Sequence, residues 1–521
     1  MTTSLRPVPA MPAEPADPGR GADRRGGGVA ADAAAGPIER TRRAASGGLG
    51  GWLADHPAWP VAALLIGYPL WWALGIADFM WIILAIPMIA RMLAWRAHGT
   101  RRVRVPPGFG IWLLFLICAA AGVAVLTLTA PGTVPSAVSH RVISYADRNL
   151  TYLGVTVLLL YAGNLTEREL PRRRLAWMLG LVALYATVGG VAGMVMPHLQ
   201  FSSPFLFLLP KSVQANTFIQ ASMRPGLAQI QNVLGTPGGR PKAPFDYTNF
   251  WGDCLSILLP WLLVGWWSGG SRRRRWIAGA TIAISMAPLL YSLNRGVWIG
   301  VGISIGYLAV RLAARGRMAM IGGLLVLIAL TGSLVLATPL QSIISGRLAN
   351  GGSVNLRSNL SGLSVKDAVA SPVIGYGDTR QEQGSPTSIS VGPSPKCPSC
   401  GQLAVGSTGQ LWLLLICSGF VGAAFYLGFF AYGIWRFRHD CTPYGLAGVL
   451  VLLLSFVYMF AYDAVGAPLG FTMLAYALVW KNSMFLQDEG RGDDGDRRGR
   501  RPWCSGPTRR GTLAVTAGEP A

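Results

Sequence analysis

The chain has 521 residues, of which 51% are hydrophobic and only 13% are charged, and its formal net charge is +22. A soluble protein of this length carries roughly a quarter charged residues, so the composition excludes an ordinary soluble enzyme. Runs of about 20 apolar residues recur along the chain and predict an all-α, polytopic transmembrane bundle.

The basic residues lie mainly in short loops between the apolar runs and in the two tails. This distribution indicates orientation in a membrane and argues against nucleic acid as a partner. Residues 1–50 and 487–521 lack hydrophobic periodicity and are rich in Gly, Pro and charge, which predicts disordered tails. The first tail has no apolar core before a cleavage site, so it does not resemble a signal peptide.

Residues 58–481 form the predicted transmembrane domain. In chain order its spans are 58–76, 77–95, 108–130, 142–163, 175–196, 247–268, 276–293, 297–314, 318–338, 409–434, 444–462 and 464–481. With about twelve spans every basic cluster falls on one side, together with both termini, and the positive-inside rule makes that side cytoplasmic. The long loops 197–246 and 339–408 then lie outside the cytoplasm. Heavy use of Ala, Gly and Arg indicates a high-GC genome, and therefore the plasma (inner) membrane of a bacterium.

A lone arginine, Arg295, lies between spans seven and eight on the predicted outer face. Positive charge is usually avoided there, and an ionisable residue at membrane depth is by default a candidate functional residue. The alternative is a helix-end arginine whose side chain reaches lipid headgroups.

The second long loop contains a short helix and a turn by prediction. Leu356, Leu360 and Leu363 have the spacing of one helical face. Gly375 and Gly377 follow and predict a tight turn. Residues 379–400 are rich in Ser, Pro and Gly and are predicted to be mobile.

Cys397 and Cys400 form an isolated CxxC in this loop. A zinc ribbon needs a second such pair, and a thioredoxin-like motif needs a soluble βαβ context, and both are missing. A local disulfide is therefore expected, because the compartment is oxidising.

Several cations share the predicted outer face. Arginine suits phosphate because its planar fork offers paired donors and stays charged in a low dielectric. The pattern predicts a pyrophosphate bound by arginines, with a lipid tail between helices; the alternative is that each loop cation serves solubility. We find no metal-binding, P-loop or dinucleotide motif, so no metal or cofactor is expected. The cations are Arg224, Arg240, Lys242, Arg295, Arg347, Arg357 and Arg380.

Four segments resemble the O-antigen ligase and polymerase family of membrane glycosyltransferases. LYSLNRGVWIGVGIS resembles that family's SRG-containing helical hairpin. RPKAPFDYTNFWGDCL is similar to its Arg-x-x-Gly-Pro-Phe segment, with Ala243 for the Gly and Thr248 for a later Pro. NLRSNLSGLSVKDAVASPVIGYGD resembles its Pro-x-x-Gly-x-Gly stretch, and GSTGQLWLLLICSGFVGA resembles the segment that opens the helix after the large loop.

The resemblance implies a metal-independent, inverting transferase that moves a glycan from polyprenyl pyrophosphate to an acceptor hydroxyl outside the cytoplasm. Arg240 and Arg295 would bind the pyrophosphate and stabilise the departing charge. Arg357 is expected to contribute to the same cluster. Lys242 and Arg224 are further substrate-binding candidates.

The family's His-Asn pair falls on Thr408 and Gly409 here, and a threonine cannot act as a general base near neutral pH. Asp378, beside the predicted glycine turn, is the expected replacement. Glu382 and Asp246 are alternatives, as is transfer without a protein base.

Two other functions fit a polytopic chain. A transporter or flippase of lipid-linked glycans often shows internal repeats, which this sequence lacks. A peptidoglycan polymerase of the shape-and-division type typically has fewer spans. The expected partners are the lipid-linked glycan, a glycan or lipid acceptor, and membrane lipids.

Overall fold

The computed structural model describes residues 55–133, 138–214, 222–232, 237–268, 270–314, 352–383 and 402–492, with Leu53, Gly316 and a few isolated positions between 322 and 333. The chain divides into residues 1–57 and 58–521, and everything below concerns the second unit. The predicted tail 1–50, nearly all of the ninth span, and Cys397 and Cys400 lie outside the described residues.

The described part of the chain is mostly helical. Helices occupy the predicted spans other than the ninth, although the first two spans are each broken into two shorter helices. Among the described residues, the helices of six or more residues are α1 (Trp59–Ile66), α2 (Tyr68–Ala73), α3 (Ala77–Ile83), α4 (Ala85–Ala97), α5 (Phe109–Ala121), α6 (Val138–Asn164), α7 (Arg172–Val195), α8 (Thr248–Leu262), α9 (Arg272–Tyr291), α10 (Arg295–Ala313), α11 (Gly352–Ala370), α12 (Gln410–Phe437), α13 (Pro443–Tyr458) and α14 (Ala467–Gly492).

Five segments are long and apolar enough to cross a membrane by length and composition. In one of them, α10, only 11% of the apolar window is buried inside the protein. An apolar surface of this extent is typical of a helix that faces lipid. The described part of the chain is therefore consistent with an all-α membrane protein, and the number of twelve spans stays a prediction. The five segments are Ala77–Ala97, Arg172–Val195, Thr248–Trp267, Arg295–Ala313 and Gln410–Phe437.

Aromatic side chains fill the centre of the bundle. The Trp112 ring is fully buried on α5, and its centroid lies 5.1 Å from that of Phe429 and 5.6 Å from that of Tyr426, both on α12. Its indole N–H donates to Thr156 Oγ1 on α6 at 2.8 Å. The buried polar edge is thus satisfied, as such groups require, and three helices are fixed around one ring.

The long loops contain β-hairpins as well as helices, and the sequence analysis predicted no strand in either loop. In the first loop, β1 (Ala228–Asn232) pairs antiparallel with β2 (Pro237–Pro241). In the second loop, β3 (Arg380–Gln383) pairs antiparallel with β4 (Gln402–Val405). The predicted mobile stretch 379–400 therefore begins with a strand.

Close backbone contact seats the first hairpin on α7. A Cβ at Gly189 would lie 2.3 Å from the Ala243 carbonyl oxygen, and one at Gly193 would lie 2.4 Å from that of Leu227. No larger residue fits at either position without moving the backbone. These two glycines therefore allow the backbone next to the hairpin to lie in direct contact with α7.

The predicted helix and turn of the second loop are present. The helix is α11, and after it Gly375 and Gly377 both adopt positive φ values, of 68° and 73°. The turn docks on α12, where the Tyr376 N–H donates to the Ile416 carbonyl at 2.7 Å.

Helix α12 is interrupted where the loop meets it. Gly419 has φ 64° and ψ −172° inside the helix. The next amide, that of Phe420, donates instead to the Pro372 carbonyl at 2.8 Å. In a continuous helix this amide would donate to a carbonyl of the same helix. Because of the break, it donates to the loop instead.

The basic loops gather at one end of the bundle. Arg101 pairs with Glu169 at 2.9 Å, and Arg311 donates to the Arg438 carbonyl at 2.9 Å. Asn482 joins the two pairs of segments, since it accepts from Arg172 at 2.6 Å and donates to Asp440 at 2.7 Å. Which end faces the cytoplasm stays a prediction.

Candidate functional site

The turn between α13 and α14, residues 459–466, is the centre of the candidate site, and we call it the outer turn after the side on which the sequence predicts it to lie. The Gln410 N–H donates to the Tyr462 carbonyl at 2.8 Å, and the Leu411 N–H donates to the Met459 carbonyl at 2.9 Å. The Gln410 side-chain oxygen accepts from the Ala464 N–H at 3.0 Å. The outer turn is therefore fixed to the first residues of α12.

Arg240 connects the first hairpin to the junction between α9 and α10. The residue lies on β2 and is buried, with 9% of its surface exposed. Its Nε donates to the Ser292 carbonyl at 2.6 Å, and its own carbonyl accepts from Thr248 Oγ1 at 3.3 Å. Ser292 precedes Arg295 by three residues, so the structure brings together the two segments that carry the predicted catalytic arginines.

The junction that carries Arg295 is tightly held. Leu293 has φ 54°, a left-handed conformation that is strained for a branched, bulky residue. Asn294 Oδ1 accepts from the Tyr462 hydroxyl, and a Cβ at Gly296 would lie 2.2 Å from that hydroxyl oxygen. Arg295 is half-buried at the start of α10, directly beside the outer turn.

Arg357 reaches the outer turn from α11. Its side chain is exposed, and a guanidinium N–H donates to the Ala461 carbonyl at 3.0 Å. Burial raises the pKa of the Tyr462 hydroxyl, while Arg357 and Arg240 both oppose that rise. Both cations are therefore within electrostatic reach of the same side chain.

The remaining predicted substrate-binding residues differ in position. Lys242 is half-buried, and burial lowers the pKa of its ammonium group, with Asp246 partly offsetting this. The Asp246 carboxyl is itself hydrogen-bonded to that of Asp78. Arg224 is exposed, and its carbonyl accepts from Gln200 Nε2 at 3.4 Å. In the described part of the chain, no hydrogen bond or ion pair joins the Arg224 side chain to the outer turn.

Asp378 is buried in an ion pair with Arg148 of α6. Its backbone carbonyl also accepts from Arg380 at 2.9 Å. The carboxylate is thus engaged in holding the glycine turn onto α6. The alternative base Glu382 lies on β3, opposite Leu403.

Asp463, on the outer turn, is a candidate that the sequence analysis missed. The residue is half-buried, but its Oδ1 is sealed from solvent and has no hydrogen-bond partner among the described residues. Burial raises the pKa of the Asp463 carboxyl to about 7, against the opposing charges of Arg357 and Arg148. A buried carboxyl that titrates near neutral pH is a typical feature of functional sites.

Thr408 precedes the residues that hold the same turn. Its side chain is buried, and its hydroxyl is 3.2 Å from that of Ser361. Two residues later, Gln410 holds both neighbours of Asp463 in place. Asp463 therefore lies between two residues that are fixed to the start of α12.

The described residues contain no group of three His, Cys, Asp or Glu side chains that could hold a metal ion. The sequence matches no model of a known protein family and no curated protein. The case for a function therefore rests on the geometry above.

Proposed function

We propose that the protein is a membrane glycosyltransferase of the O-antigen ligase and polymerase kind, acting in cell-surface polysaccharide synthesis. The observation that carries the proposal is the hydrogen bond from Arg240 Nε to the Ser292 carbonyl, at 2.6 Å. It joins the segments that carry Arg240 and Arg295, beside the outer turn to which Arg357 donates a hydrogen bond. Several guanidinium groups around one turn are suited to a pyrophosphate.

In the proposed reaction, an acceptor hydroxyl oxygen forms a bond to the anomeric carbon of the donor glycan. The bond from that carbon to the pyrophosphate oxygen breaks on the opposite face, so the anomeric centre inverts. Negative charge develops on the departing polyprenyl pyrophosphate, and Arg240 and Arg295 stabilise it. Arg357 and Lys242 bind the remaining phosphate charge.

The proton of the acceptor hydroxyl goes to Asp463. A general base works best when its pKa lies near the working pH, and the pKa of Asp463 is about 7. Asp378 fits this role less well because its carboxylate is engaged by Arg148. We assign Asp378 to positioning of the loop.

Transfer requires a hydrophobic environment for the polyprenyl tail, which the exposed apolar faces of the helices provide. The face of α10 beside Arg295 is an example, since Ile299 is 59% exposed. In this proposal the enzyme lies in the bacterial plasma membrane with its site on the outer side. The identities of the glycan and the acceptor are not part of the proposal.

A deletion strain tests the proposal. Loss of a transferase should cause a polyprenyl-pyrophosphate-linked glycan to accumulate on the outer leaflet, whereas loss of a flippase should leave it on the inner leaflet. Accumulation of single repeats indicates a polymerase, and accumulation of full-length chains indicates a ligase.

Arginine variants connect that phenotype to the site. Arg240→Ala and Arg295→Ala should fail to complement the strain at normal expression, because the pyrophosphate loses a desolvated charged partner. Arg295→Lys should restore little, since an ammonium group cannot form the paired donors of a guanidinium. Arg173→Ala is the control, since Arg173 is an exposed residue at the start of α7, and it should complement well. Full complementation by Arg295→Ala would refute the assignment.

A further inference from the structure

A cavity lined by more basic than acidic side chains lies at the end of the bundle opposite the outer turn. Its charged lining residues are Arg101, Arg102, Arg104 and Lys481, together with the acidic Glu167 and Asp488. It has a volume of about 680 Å³ and is bounded by the loop after α4, the end of α6 and the end of α14. Its lining residue Asn164 follows Arg148 by sixteen residues on α6, which is roughly 24 Å at 1.5 Å per residue. The cavity is therefore distinct from the proposed transfer site.

Two arginines of the cavity have no acidic partner in the described ranges. Arg102 and Arg104 are both exposed lining residues, and neither takes part in an ion pair there. The other lining cations are already engaged: Arg101 pairs with Glu169 at 2.9 Å, and Lys481 donates to the Thr166 carbonyl at 3.3 Å.

The loop that carries these arginines is held in place. The Arg104 N–H donates to Asn164 Oδ1, and the Arg104 carbonyl accepts from Asn164 Nδ2, both at 2.8 Å. Arg101 donates to the Asn164 backbone carbonyl at 2.9 Å. The Arg104 guanidinium also donates to the Met484 sulfur at 3.9 Å. Arg102 and Arg104 are thus presented from a fixed backbone without an ion-pair partner among the described residues, which reduces the entropy lost when a ligand binds.

The cavity wall is apolar next to the cations. Val103, Leu165, Met484 and Phe485 contribute to the lining. A headgroup site for a lipid needs this combination of fixed cations and an adjoining apolar surface. A carboxylate ligand would use only the charged part, whereas a phospholipid uses both.

We propose that this cavity binds the phosphate headgroup of an anionic phospholipid from the leaflet that meets this end of the bundle, with its first acyl carbons against the apolar wall. Arg102 and Arg104 hold the phosphate oxygens. The site is independent of glycan transfer, so a lipid-dependent stability is expected whether or not the proposed reaction is correct.

The test uses the full chain in nanodiscs of phosphatidylcholine, with or without 20 mol% phosphatidylglycerol (a composition of about one anionic lipid in five). The readout is the change in Tm. Phosphatidylglycerol should raise the Tm of the wild type, and Arg102→Gln/Arg104→Gln should abolish that rise. At about 1 kcal/mol for each cation near the membrane surface, the loss of two corresponds to roughly thirtyfold weaker binding.

Two comparisons make the result specific. Arg174→Gln removes an exposed arginine near the same end that does not line the cavity, so it should retain the full rise. In pure phosphatidylcholine, inorganic phosphate should leave the Tm unchanged; a rise that the double variant removes would show a soluble phosphate compound as the ligand and overturn the lipid assignment. An equal rise from phosphatidylglycerol in the wild type and the double variant would overturn the site itself.

Discussion

Replacement of Asp463 by asparagine tests the proposed mechanism most directly. The side chain is nearly isosteric, but an amide cannot accept the proton of the acceptor hydroxyl. Loss of a general base typically lowers the rate by 10²–10⁴-fold, so we expect a decrease of about that size in the rate of glycan transfer. None of the described hydrogen bonds between the outer turn and α12 uses the Asp463 side chain, so the variant retains them.

The pH dependence follows from the pKa of about 7 of the Asp463 carboxyl. A base must be ionised, so activity should rise with pH, by about tenfold between pH 6 and pH 8 for a pKa near 7. Removal of the Arg357 charge takes away a group that lowers this pKa. Arg357→Gln should therefore move the midpoint of the rise to higher pH, in addition to any loss of rate.

As the pH rises, the stability of the folded protein should decrease while its activity increases. The pKa of Asp463 is raised from an ordinary value of 3.8 to about 7 in the folded protein, so burial favours the neutral form. The resulting stabilisation is complete below about pH 4 and is lost as the pH rises through about 7. The Asp463→Asn side chain cannot ionise, so the variant does not lose this stability. At a pH above 7 its Tm should therefore be higher than that of the wild type, whereas replacement of a purely structural residue should lower the Tm.

The assay measures transfer by the nanodisc-embedded protein from extracted donor lipid between roughly pH 5.5 and 8.5, a window centred on the raised pKa. Asp488→Asn changes an exposed carboxylate at the far end of α14 and should leave the pH profile unchanged. An Asp463→Asn variant with a normal rate and a normal pH profile would refute the reasoning. If Asp378→Asn instead removed the pH dependence, Asp378 would be the base that the sequence predicts.

Two further predictions concern topology and folding. A cysteine placed at Ser385 should react with a membrane-impermeant reagent added outside the cell, whereas one placed at Arg273 should not; the reverse pattern would invert every sided assignment. Gly377→Ala should destabilise the protein by roughly 2 kcal/mol or more, because φ is 73° and a Cβ would lie 2.2 Å from a backbone carbonyl oxygen. Gly362→Ala, at a helical position with open space around its Cβ, should not lower the Tm.

The helices were predictable because long apolar runs permit little else in a membrane. The first hairpin was not, since β2 consists only of Pro, Gly and Arg, which have little intrinsic preference for strands. It pairs because Gly189 and Gly193 allow its backbone to approach α7. A contact between distant parts of the chain leaves no pattern in the sequence of the strand.

The candidate site was predictable in part. Arg240 and Arg295 were singled out from side and depth, and the structure does bring their segments together. Asp463 was missed, although it is the one acidic residue of the short AYDAVGAP turn. The rule that singled out Arg295, an ionisable residue at the membrane edge, applies to it equally. The ion pair between Asp378 and Arg148 joins residues 230 positions apart, and nothing in the local sequence indicates it.

The interruption of α12 at Gly419 has a consequence for protein engineering. The amide of Phe420 donates a hydrogen bond to the Pro372 carbonyl in the second long loop. Without the loop the amide has no partner, and without the helix the carbonyl has none. A chimera that exchanged the loop alone would leave an unsatisfied amide inside the bundle, at a cost of roughly 1–3 kcal/mol. An exchange of this loop should therefore extend past Phe420, so that the loop and the helix keep their hydrogen bond.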